Sequence, residues 1–311
     1  MQHVWIDSDM GFDDLAAVLT VAHTPGWSID GLSLVAGNAP LEVVTDNALR
    51  SAACFGWAFP IHAGCAAPLL APLVTAQNIL GSDAMRSAGR QLPSQCSTLA
   101  PRPAVDVLRD YLQNAQQPAT LLALGPLTNL ATLLQQSPQL ARRVGQLVWM
   151  GGSQTAGNHT AAAEFNAAVD PEAVQAVLDA KLPLQMVGLD ACRQVQVSAA
   201  DCQHVRQVGT EKAPLLADLL LGYVQIAAAA GTDSMALYDP SAAAAMLRPA
   251  SIAMQPAHIA MELVGTYTRG MTVVERRVPR RATANAMVAC AVDAQVVRTT
   301  VLDALCRAAA A

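Results

Sequence analysis

The sequence is poor in charge, in lysine and in long apolar runs. Of its 311 residues 14% are charged, and only two, Lys181 and Lys212, are lysine. A formal net charge of −5 with no basic stripe argues against a nucleic-acid groove. The one basic run, Arg276, Arg277, Arg280 and Arg281, surrounds Pro279 and reads as a solvated loop. No apolar stretch is long enough to span a bilayer, so no membrane partner is expected. Asp7 and Asp9 interrupt the N-terminus where a secretory signal needs its apolar segment, which points to a cytoplasmic protein. The seven cysteines (54, 65, 96, 192, 202, 290 and 306) are odd in number and include no C-x-x-C. That scatter argues against a thiolate metal site or a disulfide framework, and reduced thiols suit the same compartment. Apolar residues, by contrast, make up 53% of the chain. They supply ample core, and the scarcity of charge to cover a surface predicts contacts between subunits.

Set against this low charge, four aspartates fall within eight positions: Asp7, Asp9, Asp13 and Asp14. Carboxylates this close repel one another and resist burial unless a cation or a proton offsets them. Val4, Trp5 and Ile6 before them form a strand-like apolar run, and the Ala/Leu/Val segment from Leu15 reads as a helix. The cluster therefore sits on a strand-to-helix turn, with Gly11 suited to the bend. One reading makes the aspartates a helix cap, which accounts for Asp13 and Asp14 but not for all four. The other is a site for a hard divalent cation, which prefers several oxygen ligands.

Strand-like runs at 4–6, 32–36, 119–123, 147–150, 184–187 and 259–263 alternate with helical patterns at 15–23, 40–55, 104–114, 127–136, 171–180 and 213–230. This rhythm predicts an α/β fold, a Rossmann-like open and mostly parallel sheet with helices on both faces. Its active site is expected at the carboxyl ends of the strands. The polar segment 86–102 reads as a surface connection, and no linker divides the chain, so residues 1–311 are expected to form one domain.

Three more strand ends carry polar or glycine punctuation: Gly37-Asn38, Gly125-Pro126-Leu127-Thr128-Asn129 and Met150-Gly151-Gly152-Ser153. Each alone is an ordinary turn. In a parallel sheet all open toward the same edge as the aspartates. Further on, Asn158, Glu164 and Asn166 are spaced to hydrogen-bond the hydroxyls of a sugar, whereas Asp170-Pro171 reads as the cap of the next helix. Tyr238-Asp239-Pro240 lies between Ala-rich helices and can return one more carboxylate to the cluster. Tyr223 and Gln225 on the preceding helix are candidates for a base pocket, with core packing the plainer alternative, and Trp149 is expected to be buried packing.

These segments, in this order, resemble the inosine-uridine-preferring nucleoside hydrolase family. Its D-x-D-x-G-x-D-D-x-x-A hallmark appears as Asp7-Ser8-Asp9-Met10-Gly11-Phe12-Asp13-Asp14-Leu15-Ala16-Ala17, and Ala163-Glu164-Phe165-Asn166 and Asp170-Pro171-Glu172-Ala173 follow the family's pattern too. Val292-Asp293 resembles the family's closing strand. The resemblance implies a calcium-dependent enzyme that hydrolyses the N-glycosidic bond of ribonucleosides, assembled as a homodimer or homotetramer. Carried over residue by residue, Asp9, Asp14, the backbone carbonyl of Thr128 and Asp239 bind Ca2+, and Asp9 is also the general base on a calcium-bound water. Asp13, Asn38, Asn158, Glu164 and Asn166 hold the ribose, and Asp7 supports the turn.

The sequence departs from the family where the nucleobase leaves. Leu80-Gly81 stands in place of a His-Gly pair, and Tyr238 in place of the His before Asp-Pro. Tyrosine, with an ordinary pKa near 10, donates a hydrogen bond but is a poor proton source at neutral pH. Three routes stay open for the departing base: Tyr238 as the acid, His159 as its substitute, or stacking with protonation from solvent. Two rival readings exist. A haloacid-dehalogenase-type phosphatase also begins with D-x-D, but needs a lysine and a later acidic motif that neither Lys181 nor Lys212 provides. A catalytically silent, calcium-dependent nucleoside or ribose binder fits the lost histidines, but has no use for a base at Asp9.

Overall fold

The alternating apolar stretches pair into one large sheet in the computed structural model, which describes residues 1–228, 231–278 and 282–311. Its strands are β1 (Gln2–Ser8), β2 (Trp27–Leu34), β3 (Ile61–Ala63), β4 (Ala119–Ala123), β5 (Val144–Met150), β6 (Leu184–Val187), β9 (Ile252–Met261), β10 (Thr272–Glu275) and β11 (Ala286–Val292). They lie in the order β10-β9-β11-β6-β5-β4-β1-β2-β3, while β7 (Gln196–Ser198) and β8 (Ser234–Ala236) form a separate antiparallel pair. From β3 across to β11 every pairing is parallel; β9 and β10 close the far edge as antiparallel strands.

The helices are α1 (Phe12–Ala22), α2 (Leu41–Phe55), α3 (Gln77–Leu80), α4 (Ala104–Asn114), α5 (Thr128–Gln136), α6 (Phe165–Val169), α7 (Pro171–Asp179), α8 (Leu189–Cys192), α9 (Ala199–Arg206), α10 (Ala213–Ala228), α11 (Asp239–Leu247) and α12 (Ala294–Ala310). They cover both faces. One apolar cluster joins α1, α2, α10, α11 and α12 to one side of the sheet, and a second joins α4, α5 and α7 to the other. Strands covered on both faces read as apolar runs, as Val4–Ile6 of β1, Leu121–Ala123 of β4 and Leu147–Met150 of β5 do. None of the described helices is long and apolar enough to cross a membrane.

The strand order positions the site. From β1 the chain moves outward through β2 and β3, then returns to the opposite side of β1 for β4, β5 and β6. The carboxyl end of β1 thus lies at a topological switch point, where connections diverge and leave a crevice.

All six expected strands and six expected helices occur, with shifted ends. The strand expected at 259–263 begins at Ile252 and runs antiparallel. The helix expected at 213–230 is described as far as Ala228, and its last two residues lie outside the described set, as do Pro279, Arg280 and Arg281 of the basic run. Segment 86–102 holds neither helix nor strand, as expected of a connection.

Candidate active site

The acidic turn is built by a few short hydrogen bonds. β1 ends at Ser8, Met10 takes a left-handed φ of 40°, and α1 starts at Phe12 with Gly11 as its cap. Ser8 Oγ donates to Asp14 Oδ1 at 2.6 Å, and the Gly11 N–H donates to Asp14 Oδ2 at 2.9 Å. Asp14 therefore caps the helix and faces the acidic cluster at once, so the cap reading and the cation reading of this turn are compatible. Asp9 is only 1% exposed. Its Oδ2 accepts the Asn38 N–H at 2.7 Å and its Oδ1 accepts Asn38 Nδ2 at 3.1 Å. Asp9 lies so close to Gly37 that a Cβ there would sit 2.1 Å from its Oδ2. Glycine at 37 is required by that approach rather than by backbone conformation.

Asp239 reaches the cluster from the first turn of α11. Carboxylate oxygens of Asp13, Asp14 and Asp239 lie within 4.8 Å of one another, a spacing able to hold a metal ion. Asp9, Asp13 and Asp239 line one cavity. Burial raises all four carboxyls above the ordinary range. Repulsion from Asp14 adds to it at Asp9 and at Asp13, which is pushed up to about 7, and repulsion from Asp13 adds to it at Asp239. Carboxyls raised in this way call for protons or a cation. The donor set fits a hard divalent ion: it is all oxygen, and no thiol or imidazole joins it among the described residues.

The other expected site residues are distributed around this floor. Asp7 turns away from the cavity: Asn129 Nδ2 donates to its Oδ1 at 2.7 Å, its Oδ2 has no partner, and burial pushes its carboxyl up to about 7. Asn129 also bonds the Leu34 carbonyl and the Cys65 N–H, so Asp7 braces the junction of β1, β2 and α5. Thr128 is buried at the start of α5, where its hydroxyl donates to Asp170 Oδ2 at 2.7 Å. Asp170 caps α7, as expected. Glu164 caps α6, accepting the N–H groups of Asn166, Ala167 and Gly152, and burial pushes it up to about 7. Asn166 lines the cavity with Nδ2 held by the carbonyls of Leu124 and Met150, which leaves Oδ1 for a ligand. Asn158 also lines it, and with Oδ1 engaged by the Phe165 N–H its amide nitrogen is the free end.

The cavity measures about 470 Å³, within the range of small-molecule sites. Besides the carboxylates and asparagines its lining includes apolar Val74, Ile79, Leu80, Ile226 and Met235, polar Thr75 and Asn78, and Tyr223, Tyr238 and His159. Tyr238 Oη has no protein partner, and burial pushes its hydroxyl up to about 12. The Tyr223 hydroxyl donates to the Ala236 carbonyl at 2.8 Å. Gln225 does not belong to the site. It is exposed, because on α10 the cavity face carries Tyr223 and, three residues on, Ile226. Trp149 is fully buried and donates to the Gly125 carbonyl at 3.2 Å. Leu80 lines the cavity, at the position where the resemblance puts a pocket histidine, but the rest of segment 74–80 was not foreseen as lining. Its one sequence signal is a pair of apolar side chains, Val74 and Ile79, that remain about half exposed.

The profile of the inosine-uridine preferring nucleoside hydrolases matches residues 4–299. The chain belongs to that family. As a nucleoside hydrolase it cleaves the N-glycosidic bond of ribonucleosides. The non-specific ribonucleoside hydrolase RihC of Salmonella paratyphi B is 37% identical over 291 residues, covering 94% of this chain and 93% of its own. Among solved structures, the purine-preferring ribonucleoside hydrolase of Gardnerella vaginalis superposes with a TM-score of 0.91 at 23% identity, covering 99% of both chains. A plant nucleoside hydrolase superposes with a TM-score of 0.89 at 25% identity, covering 98% of both. This nucleoside hydrolase shares their fold, and with it the expected mostly parallel sheet.

Proposed function

We propose that this nucleoside hydrolase is calcium-dependent and broad in base preference, that Asp9 activates the attacking water, and that the ribose lies over the acidic floor. The observation that carries this reading is the clustering of four carboxyls raised by burial: Asp9, Asp13 and Asp239 line a cavity of about 470 Å³, and Asp14 lies within 4.8 Å of Asp13 and Asp239. Asp9, Asp14, Asp239 and the Thr128 carbonyl would hold Ca2+. A bound cation acidifies water and polarises oxygen ligands.

Asp9 is fixed by two hydrogen bonds from Asn38, so it is oriented to take a proton from water without rearranging. Asp13, Asn38, Asn158, Glu164 and Asn166 hold the ribose, with Glu164 acting from beneath by fixing the backbone at Asn166. Loss of the base leaves positive charge on the sugar ring, as in other glycoside hydrolyses. Carboxylates and amide oxygens placed around the ring favour that charge. Tyr238, whose hydroxyl keeps its proton over the working pH range, donates a hydrogen bond to the departing base.

The wall residues Val74, Ile79, Leu80, Ile226 and Met235 are apolar, and Thr75 and Asn78 beside them are the only hydrogen-bonding side chains of segment 74–80 in the lining. Such pockets discriminate weakly, which agrees with the name of the 37% identical relative, a non-specific ribonucleoside hydrolase. A silent binder is disfavoured because Asp9 is held in position for proton transfer. The reading also places residues 1–311 in one cytoplasmic domain that assembles into a homodimer or homotetramer.

Ribose release from inosine, uridine, adenosine and cytidine, measured with EDTA and then with added Ca2+, tests the reading. Turnover of both purine and pyrimidine nucleosides that needs Ca2+ and vanishes in Asp9→Asn is expected. Turnover that survives EDTA, or survives Asp9→Asn, rejects it.

A further inference from the structure

We propose that His159 delivers the proton that the departing nucleobase takes up. The inference rests on the hydrolase reading above and assigns the step for which the sequence lacks both histidines usual in the family. Cleavage of the C1′–N bond leaves its electron pair on the base. The water oxygen bonds C1′, and the water proton passes to Asp9. The base must gain a proton from elsewhere, since the anion of a nucleobase is a poor leaving group.

Few groups on the cavity wall can supply it. Asp9, Asp13 and Asp239 belong to the acidic floor, and Thr75 and Asn78 do not titrate. The Tyr223 hydroxyl is engaged by the Ala236 carbonyl and by Asp13 of the acidic floor. Tyr238 presents a free hydroxyl, but a phenol, with an ordinary pKa near 10, is a poor proton source near neutral pH. His159 is the one imidazole lining the cavity among the described residues, and histidine is the side chain most often used for general acid–base catalysis.

The loop around His159 is also held in place. Arg193 Nη1 donates to the Ala156 carbonyl at 3.0 Å and its Nη2 to the Gly157 carbonyl at 2.9 Å. The N–H groups of Asn158, His159 and Thr160 converge on the Ala163 carbonyl at 3.2, 3.1 and 3.2 Å. The imidazole meets Phe165 edge-on, with ring centroids 5.6 Å apart and planes at 69°. Neither ring nitrogen has a protein partner, so both are free for a ligand and for water. During turnover the imidazolium gives its proton to the base, and the exposed neutral ring is recharged from solvent.

The test compares His159→Gln and Tyr238→Phe on inosine, uridine and p-nitrophenyl riboside, whose leaving group departs without a proton. His159→Gln is expected to lose about 100-fold or more in kcat on both nucleosides and less than about 5-fold on the nitrophenyl substrate. Retained nitrophenyl turnover shows that the variant is folded. In His159→Ala, added imidazole is expected to restore nucleoside turnover. Equal losses on all three substrates, nucleoside turnover within about 5-fold of wild type, or a selective loss seen only in Tyr238→Phe overturns the assignment. Wild-type turnover of all three substrates is the control that separates failure of this assignment from failure of the hydrolase reading.

Discussion

Substituting Gly37 by alanine tests the packing that fixes Asp9, without touching Asp9 itself. The new Cβ would lie 2.1 Å from Asp9 Oδ2 and 2.9 Å from both Asp9 Cγ and Pro126 Cδ. Ordinary contact begins at 3.4 Å, so the carboxylate has to retreat by about 1.3 Å. There is no free space behind it. Asp9 is 1% exposed, and a Cβ on Gly125 would come within 3.0 Å of its Cγ. The retreat breaks the hydrogen bond from the Asn38 N–H, worth about 1.5–3 kcal/mol for a charged acceptor, and overpacking adds about 1–3 kcal/mol. A misplacement of about 1 Å at a catalytic group costs on the order of 100-fold in rate. The assay is kcat on inosine with saturating Ca2+, alongside the urea midpoint. Gly56→Ala is the control. Gly56 also lies outside any strand, has nothing within 4 Å of its would-be Cβ, and is strained only by its φ of +65°. It should lose about 1 kcal/mol and keep its kcat. A Gly37→Ala enzyme with kcat within about 3-fold of wild type would refute the argument that this contact sets the position of the base.

Three further outcomes are expected. Ca2+ at about 100 times its Kd should add about 2.7 kcal/mol to the unfolding free energy, and calorimetry should show that increment lost in Asp239→Asn. Thr128→Val should cost about 1–2 kcal/mol, because Asp170 loses the Thr128 hydroxyl but keeps the Leu69 N–H. Calcium affinity measured by titration should nevertheless hold, since the proposed ligand at 128 is the backbone carbonyl. Burial raises Glu164 from 4.5 to about 7. The folded state then binds that proton more tightly than the unfolded chain, so stability is greatest below about pH 4.5 and declines as pH rises to about 7. The share of the slope due to Glu164 is at most about 1.4 kcal/mol per pH unit, and urea titrations at several pH values should show the Glu164→Ala variant losing that share while the part due to Asp7 and Asp13, also raised to about 7, remains.

Much of the sheet was legible because its central strands are covered on both faces, so β1, β4, β5 and β6 stand out by short apolar stretches such as Val4–Ile6, Leu121–Ala123 and Leu147–Met150. Strands that face solvent did not stand out. β9 carries Gln255, Pro256 and His258 among its apolar residues, since alternate positions are exposed, and β3, β7, β8 and β10 are too short to show a period. The acidic floor could be read directly, because Asp9, Asp13, Asp14 and Asn38 sit on turns whose spacing the chemistry dictates. The apolar wall could not. Apart from Leu80, which the family resemblance marks, segment 74–80 comes to the cavity through the tertiary fold, and no local periodicity in it signals a lining role. Gln225 was misplaced for a related reason: helical periodicity gives relative faces but not which face meets the cavity.

Asp14 has one further consequence. Its two oxygens are engaged by Ser8 and Gly11 of its own turn, so the carboxylate is oriented by local chain geometry before any ion arrives. If the proposed calcium binds there, its loading and unloading should leave the start of α1 intact, and exchange with a chelator should be reversible without passage through an unfolded intermediate. A protein assembled this way tolerates transient ion loss, in contrast to small domains whose folding depends on their metal.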